Sequence, residues 1–157
     1  MLNHINKDAK NPNRVIILGA RGFVSGSVEE RLNNLNIKIV SLSHNELDLT
    51  ALDSYKKLSE IFEPNDTVFF AAAKAPVKNE SMLVENILMS KNVCLSLKET
   101  PVKHLIYLSS DAVYADSKEH LTELSSTQPE SLHGIMHYCR EIMLKQLIEI
   151  PKCFIRP

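Results

Sequence analysis

The stretch RVIILGARGFVSGSV, Arg14 to Val28, decides the reading of the chain. A run of apolar residues leads into a glycine turn, and the turn leads into a segment of helical period: a buried strand, a tight connection and a helix. In that context Gly19, Ala20, Arg21, Gly22 and Phe23 supply backbone N–H groups that point at a pyrophosphate, assisted by the dipole of the helix that follows. The third glycine of such turns lets helix and strand pack closely. Its slot holds Ser25, with Gly26 beside it, and a serine is small enough that the packing penalty is about 1 kcal/mol or less. The competing reading is a merely tight turn; the strand before it and the helix after it favour the phosphate site.

Outward from this stretch, short β-branched runs alternate with helical segments. The runs are RVIILG, IKIVSLS, DTVFFAA, HLIYLSS and finally KCFIRP, and the helices between them are expected over 23–35, 50–62, 80–98 and 130–148. Strands joined through helices pair in parallel with right-handed crossovers and are covered on both faces, which explains their near-continuous hydrophobicity. The expected architecture is α/β, a doubly wound parallel sheet of the Rossmann type with three αβα layers. Helix 80–98 places Leu83, Ile87, Val93, Cys94 and Leu97 on one apolar side, as packing on a sheet requires. The one long loop, Ala115 to Glu130, reads either as a functional loop or as a plain surface connection.

Composition narrows the function classes. With 157 residues, of which 44% are apolar, the chain makes one domain. A net charge of -1, with 18 scattered basic residues, offers no nucleic-acid footprint. Cys94, Cys139 and Cys153 have no CxxC spacing, so they read as buried, reduced thiols of a cytoplasmic protein rather than a disulfide framework or a zinc site. Met1 to Asn13 is a polar, loose arm without a signal-peptide core, and no apolar run is long enough to span a membrane. Strand two ends in Ser43 and His44, where an acid would hold the ribose 2′-hydroxyl of NAD. The choice between NAD and NADP therefore stays open, and His44 or Arg21 suits a 2′-phosphate. Asp48 reads either as a helix N-terminal residue beside Thr50 or as an adenine contact.

Taken in order, GARGFV, LDLT, FFAAA, NILMSKNV and YLSSDAVY resemble the extended short-chain dehydrogenase/reductase family, the NAD-dependent epimerases and dehydratases of nucleotide sugars. The resemblance runs from Arg14 to Pro157. It implies that Gly19, Arg21, Gly22, Phe23 and Val24 sit at the phosphates, Asp48 and Leu49 at the adenine, and Ala71, Ala72 and Ala73 along the cofactor. Asn86 and Ser109 join the cofactor-binding set. Ser110 falls on the catalytic serine, which hydrogen-bonds the sugar oxygen that becomes a carbonyl during hydride transfer. Asp111 reads either as an acid for a leaving hydroxyl or as an exposed loop residue.

The family's tyrosine and lysine, four residues apart, are both replaced. Gly134 and Glu141 keep the flanking pattern, which puts His133 in the tyrosine position and His137 in the lysine position. The two histidines share a helix face, whereas Tyr138 lies about 140° around from His133. An imidazole of ordinary pKa near 6.5 exchanges protons at neutral pH without a lysine's help, but it lacks a phenol's reach. The expected function is NAD(P)-dependent hydride transfer on a nucleotide sugar; the alternative is a non-catalytic NAD(P)-binding regulatory or interaction module. The HxxxH spacing suits zinc but lacks a third ligand. KCFIRP resembles the family's fifth strand, so the chain is expected to be a fragment or a truncated gene product lacking most of the substrate half. Helices 80–98 and 130–148 resemble those through which the family forms homodimers.

Overall fold

The computed structural model describes residues 10–118 and 120–147; the expected strand KCFIRP, Cys153 and most of the polar arm lie outside the described residues. Four strands form one parallel sheet: β1 (Arg14–Leu18), β2 (Lys38–Leu42), β3 (Thr67–Phe70) and β4 (His104–Tyr107), in the order β2-β1-β3-β4. The pairing is in register along each ladder, with Ile16 opposite both Val40 and Val68, and Phe69 opposite Ile106. The helices are α1 (Phe23–Asn34), α2 (Ser54–Ile61), α3 (Glu80–Glu99) and α4 (Leu132–Lys145). None of the described helices is long and apolar enough to cross a membrane.

Strand alternation divides the core in two. Ile16, Leu18, Val68, Phe70 and Leu105 point to one face, where Leu58 of α2, Val93 and Leu97 of α3, and Leu144 of α4 cover them. Val15, Ile17 and Phe69 point to the other, against Val28 and Leu32 of α1. β1 and β3 are buried on both faces and have no polar side to show, which is why their runs are continuous; β2 and β4, at the ends of the described sheet, are not covered throughout as the sequence suggests and leave Lys38, Ser41 and Ile106 exposed. At the amino end of the sheet, Arg14 donates through Nε and Nη2 to the Asp66 carboxylate at 2.8 and 2.7 Å. Asp66 also accepts the Glu63 N–H, so the ion pair closes the end of the sheet away from the glycine turn.

Three elements depart from the sequence reading. Helix α2 begins at Ser54, not at residue 50, because Asp48 accepts hydrogen bonds from the N–H and hydroxyl of Thr50 and folds the preceding residues into turns. Helix α4 starts at Leu132, where Ser131 caps it by accepting the Gly134 N–H at 3.1 Å. In α3 the fully buried stripe is Asn86, Ser90, Val93 and Leu97, while Leu83 and Ile87 are only half-buried. The amino-terminal half of that stripe is polar because Asn86 and Ser90 accept hydrogen bonds from the buried Arg140 of α4. Cys94 is buried as expected, but Cys139 is half-buried, on a different side of α4 from its buried residues His137 and Arg140.

Candidate functional site

The glycine turn sits at the carboxyl end of the sheet. After β1, Gly19 and Ala20 both donate their N–H groups to the Leu42 carbonyl of β2, at 2.9 and 3.2 Å, so these two N–H groups tie the turn to the sheet instead of pointing at a phosphate as the sequence suggests. Gly19 adopts φ +95°, and a Cβ placed there would stand 2.5 Å from the Ala72 nitrogen. Only glycine fits, for reasons of both conformation and space. Arg21 also has positive φ, at 70°, which turns the chain into α1. Gly22 is the N-cap of α1 and has no side chain to cap it, and the first turn carries no acidic residue. The N–H groups at the start of α1 therefore meet no competing anion from their own helix, as an anion-binding helix end requires. Ser25 fills the third-glycine slot at 1% exposure, so a small side chain does pack there.

A cleft of about 280 Å³ opens beside this turn, bounded by Gly19 and Gly22, by Ser43 and His44 after β2, by Leu49, and by Ala71, Ala72 and Ala73 after β3. Phe23 and Val24 begin α1, with Phe23 almost wholly exposed. Asn86 is fully buried beneath the alanine segment: it accepts the Lys74 N–H at 2.9 Å and donates to the Lys74 carbonyl at 3.0 Å. Met89, on α3, also lines the cleft and has no distinguishing sequence signal.

No carboxylate stands at Ser43 or His44, but one three residues on folds back onto Ser43. Glu46 accepts hydrogen bonds from both the N–H and the hydroxyl of Ser43, and pairs with Arg21 at 3.0 Å. The Ser43 bonds, aided by Arg21, hold its carboxyl below the usual range. The available signal is the Ser-x-x-Glu spacing, that of a capping box. Asp48 is held low by its bonds from Thr50, with His44 3.6 Å away. Arg21, offered for a 2′-phosphate, is thus already partnered by an acid.

The chemistry-bearing candidates come from β4 and α4. Ser110 follows β4 and caps a 3₁₀ turn, Asp111–Val113: its hydroxyl accepts the Ala112 N–H at 3.2 Å and donates to Asp111 at 3.1 Å. Ser109 donates to Glu141 of α4. Gly134 lets α4 dock on that turn, since a Cβ there would stand 2.0 Å from the Ala112 carbonyl oxygen. This contact sets His133 beside the loop that carries Ser110.

His133 and His137 do share a face: their rings meet edge to face, 4.8 Å between centroids. The two differ in environment. His133 is half-buried, and its Nδ1 is enclosed without a hydrogen-bond partner among the described residues. His137 is buried, with its Nδ1 2.7 Å from the Tyr107 hydroxyl. Burial, helped by His133 and Arg140, pushes the His137 pKa down to about 4. Burial likewise pushes Tyr107 up to about 12, so both groups are neutral at pH 7. The position that would hold a lysine therefore holds no charge. Among the described residues, no group of three potential ligands assembles a metal site around the histidines.

A depressed histidine makes stability pH-dependent in one direction. Above the unfolded value near 6.5 neither state is protonated at His137, and the contribution is complete; as pH falls toward 4 only the unfolded chain takes up the proton. Stability is expected to fall by about 2 kcal/mol across that window. Urea midpoints at pH 7 and pH 4.5 test this, with His137→Gln as the comparison. The wild-type loss should exceed that of the variant, and parallel losses would remove His137 as the cause.

A parallel sheet in this strand order, with a glycine turn at its carboxyl end opening on a cleft walled by small residues, defines a Rossmann-type dinucleotide-binding fold. Residues 15–155 match the model of the NAD dependent epimerase/dehydratase family, and the chain belongs to that family. Among solved structures it is similar to UDP-glucose 4-epimerase of Thermus thermophilus in complex with NAD, with 19% identity and a TM-score of 0.79 over 90% of this chain and 53% of that one. It is similar also to MoeE5 in complex with UDP-glucose and NAD, with 20% identity and a TM-score of 0.80 over 90% of this chain and 51% of that one. UDP-glucuronic acid 4-epimerase from Bacillus cereus gives 17% identity and a TM-score of 0.76 over 90% and 54%. The chain spans about half the length of these proteins. No curated protein matches it in sequence.

Proposed function

We propose that the chain is the NAD(P)-binding unit, residues 14–157, of an enzyme that acts on a nucleotide sugar by hydride transfer. The observation that carries this reading is the Gly19 turn, pressed against Ala72 so closely that no Cβ fits, beside an uncapped helix end. Gly19, Arg21, Gly22, Phe23 and Val24 would hold the phosphates, Asp48 and Leu49 the adenosine end, and Ala71, Ala72, Ala73 and Ser109 the inner wall, with Asn86 bracing that wall from beneath. NAD or NADP, when bound, supplies the hydride acceptor. Ser110 orients the sugar hydroxyl by hydrogen bonding, and His133, half-buried at the start of the helix that docks on the turn after Ser110, takes its proton. His137 stands behind His133 as a neutral, hydrogen-bonded neighbour rather than as a cation. The exposed apolar residues Val84 of α3 and Ile135 and Ile142 of α4 support a homodimer through these two helices.

A second reading, a non-catalytic NAD(P)-binding regulatory or interaction module, is favoured by one observation: neither His133 nor His137 supplies the fixed charge of a lysine. Calorimetry with NAD and with NADP tests the premise that both readings share, and binding of neither would defeat both. Reduction of the bound dinucleotide by a panel of nucleotide sugars separates them. His133→Ala is expected to lower turnover by about 100-fold, with dinucleotide affinity within about twofold of wild type because the cleft is untouched. Equal rates in the two proteins would remove His133 from the mechanism.

A further inference from the structure

Arg140 of α4 is the largest side chain buried in the described residues, at 0% exposure, and no carboxylate among them pairs with it. Its guanidinium instead directs its donors at the underside of the cleft. Nη2 donates to the Ala72 carbonyl at 2.8 Å, Nε to the Ser90 hydroxyl at 2.6 Å, and Nη1 to the Asn86 side-chain oxygen at 3.4 Å. The cation also lies over the rings of Phe70 and Tyr107, 4.4 and 5.0 Å from their centroids. Asn86 in turn holds both backbone groups of Lys74. Arg140 and Asn86 together therefore fix the segment from Ala72 to Lys74, the same segment against which Gly19 packs.

A buried cation is a poor device for stability, because desolvating it costs several kcal/mol and an apolar side chain of similar volume often does as well. What an arginine offers here is a rigid fork that reaches three acceptors on two other elements at once. We propose that Arg140 is a positioning residue for the dinucleotide cleft: from α4 it fixes the Ala72–Lys74 wall in its binding form before any ligand arrives. That the ligand is a dinucleotide rests on the function proposed above; the fixing of the wall does not. The link also runs through the helix that carries His133, so it sets the register between the proton-exchanging group and the cofactor wall.

Amide hydrogen exchange on the full chain without nucleotide, paired with calorimetry using NAD and NADP, tests the proposal. In Arg140→Met, exchange at the Lys74 amide should rise at least about tenfold relative to that at Val68 in β3, with at least about tenfold weaker dinucleotide binding. Arg140→Lys, which keeps the charge but not the fork, should behave like Arg140→Met. Wild-type exchange at Lys74 in Arg140→Met overturns the proposal, and so does raised exchange with unchanged affinity. A rescue of both by lysine would show that charge, not geometry, is what matters, and also overturns it. If wild type binds neither dinucleotide, the proposed function falls, and the exchange comparison alone decides whether Arg140 holds the wall. Should Arg140→Met fail to fold, Ser90→Ala removes one acceptor and should move both readouts in the same direction by a smaller factor; no change in either counts against the proposal.

Discussion

Gly19→Ala is expected to abolish useful dinucleotide binding and to destabilise the fold, whereas Gly26→Ala, seven residues on in the same motif, should stabilise it. The alanine methyl at residue 19 would lie 2.5 Å from the Ala72 nitrogen and 2.6 Å from its Cα, and both are backbone atoms of the neighbouring strand end. Ala72 cannot retreat, since Arg140 holds its carbonyl from the other side. The φ of +95° adds the strain of a conformation that L side chains avoid. The two effects together should cost about 3 kcal/mol or more. The protein that remains folded should bind NAD or NADP at least about 100-fold more weakly, because the turn must lift off the wall that shapes the cleft. Gly26 lies inside α1 with nothing within 4 Å of the built Cβ, so alanine there should gain about 0.5–1 kcal/mol from helix propensity. Denaturant midpoints and calorimetry on both variants decide the matter. A Gly19→Ala protein with wild-type midpoint and affinity would mean that the turn does not press on the end of β3 as described.

The same contrast shows what can be read from the sequence. The fold is legible because strands buried on both faces leave continuous apolar runs, and because a glycine pattern between a strand and a helix has few other uses. The spacing of His133 and His137 places them on one face, and their rings do meet. What escapes are features that depend on residues distant in the chain. Arg140 is one of many scattered basic residues; Ser90 and Asn86, 50 and 54 positions earlier, together with the Ala72 carbonyl and the Phe70 and Tyr107 rings, make its burial tolerable. The direction of His137 is set by Tyr107, 30 residues away on β4, and no period within α4 reveals that partner. Helix α3 reads as apolar along its whole inner side, and its polar half becomes intelligible only once the arginine it serves is placed. Glu46 is a local feature, but the acid expected at the strand end lies one turn later, reaching back to Ser43.

Gly134→Ala should be the more damaging of the two helix-glycine substitutions in α1 and α4, against the usual preference of helices for alanine. In an exposed helix interior the change would gain about 1 kcal/mol. Here the new methyl would stand 2.0 Å from the Ala112 carbonyl oxygen and 2.9 Å from the Pro129 side chain. An overlap that deep cannot be absorbed by a rotamer, so α4 must move away from the 3₁₀ turn after β4. That movement shifts His133 relative to Ser110 and loosens the Ser109–Glu141 bond further along α4. A net loss of about 3 kcal/mol or more is expected, measured as a shift in the denaturant midpoint. The two sites should also separate functionally. The glycine turn itself is untouched, but α4 carries Arg140 and its bond to the Ala72 carbonyl, so dinucleotide affinity in Gly134→Ala should fall, though by less than in Gly19→Ala, while any turnover that depends on His133 should be lost. A variant that keeps the wild-type midpoint would mean that α4 does not rest on Ala112. Lost affinity equal to that of Gly19→Ala would mean that the hold of α4 on the Ala72–Lys74 wall matters to the cleft as much as the glycine turn does.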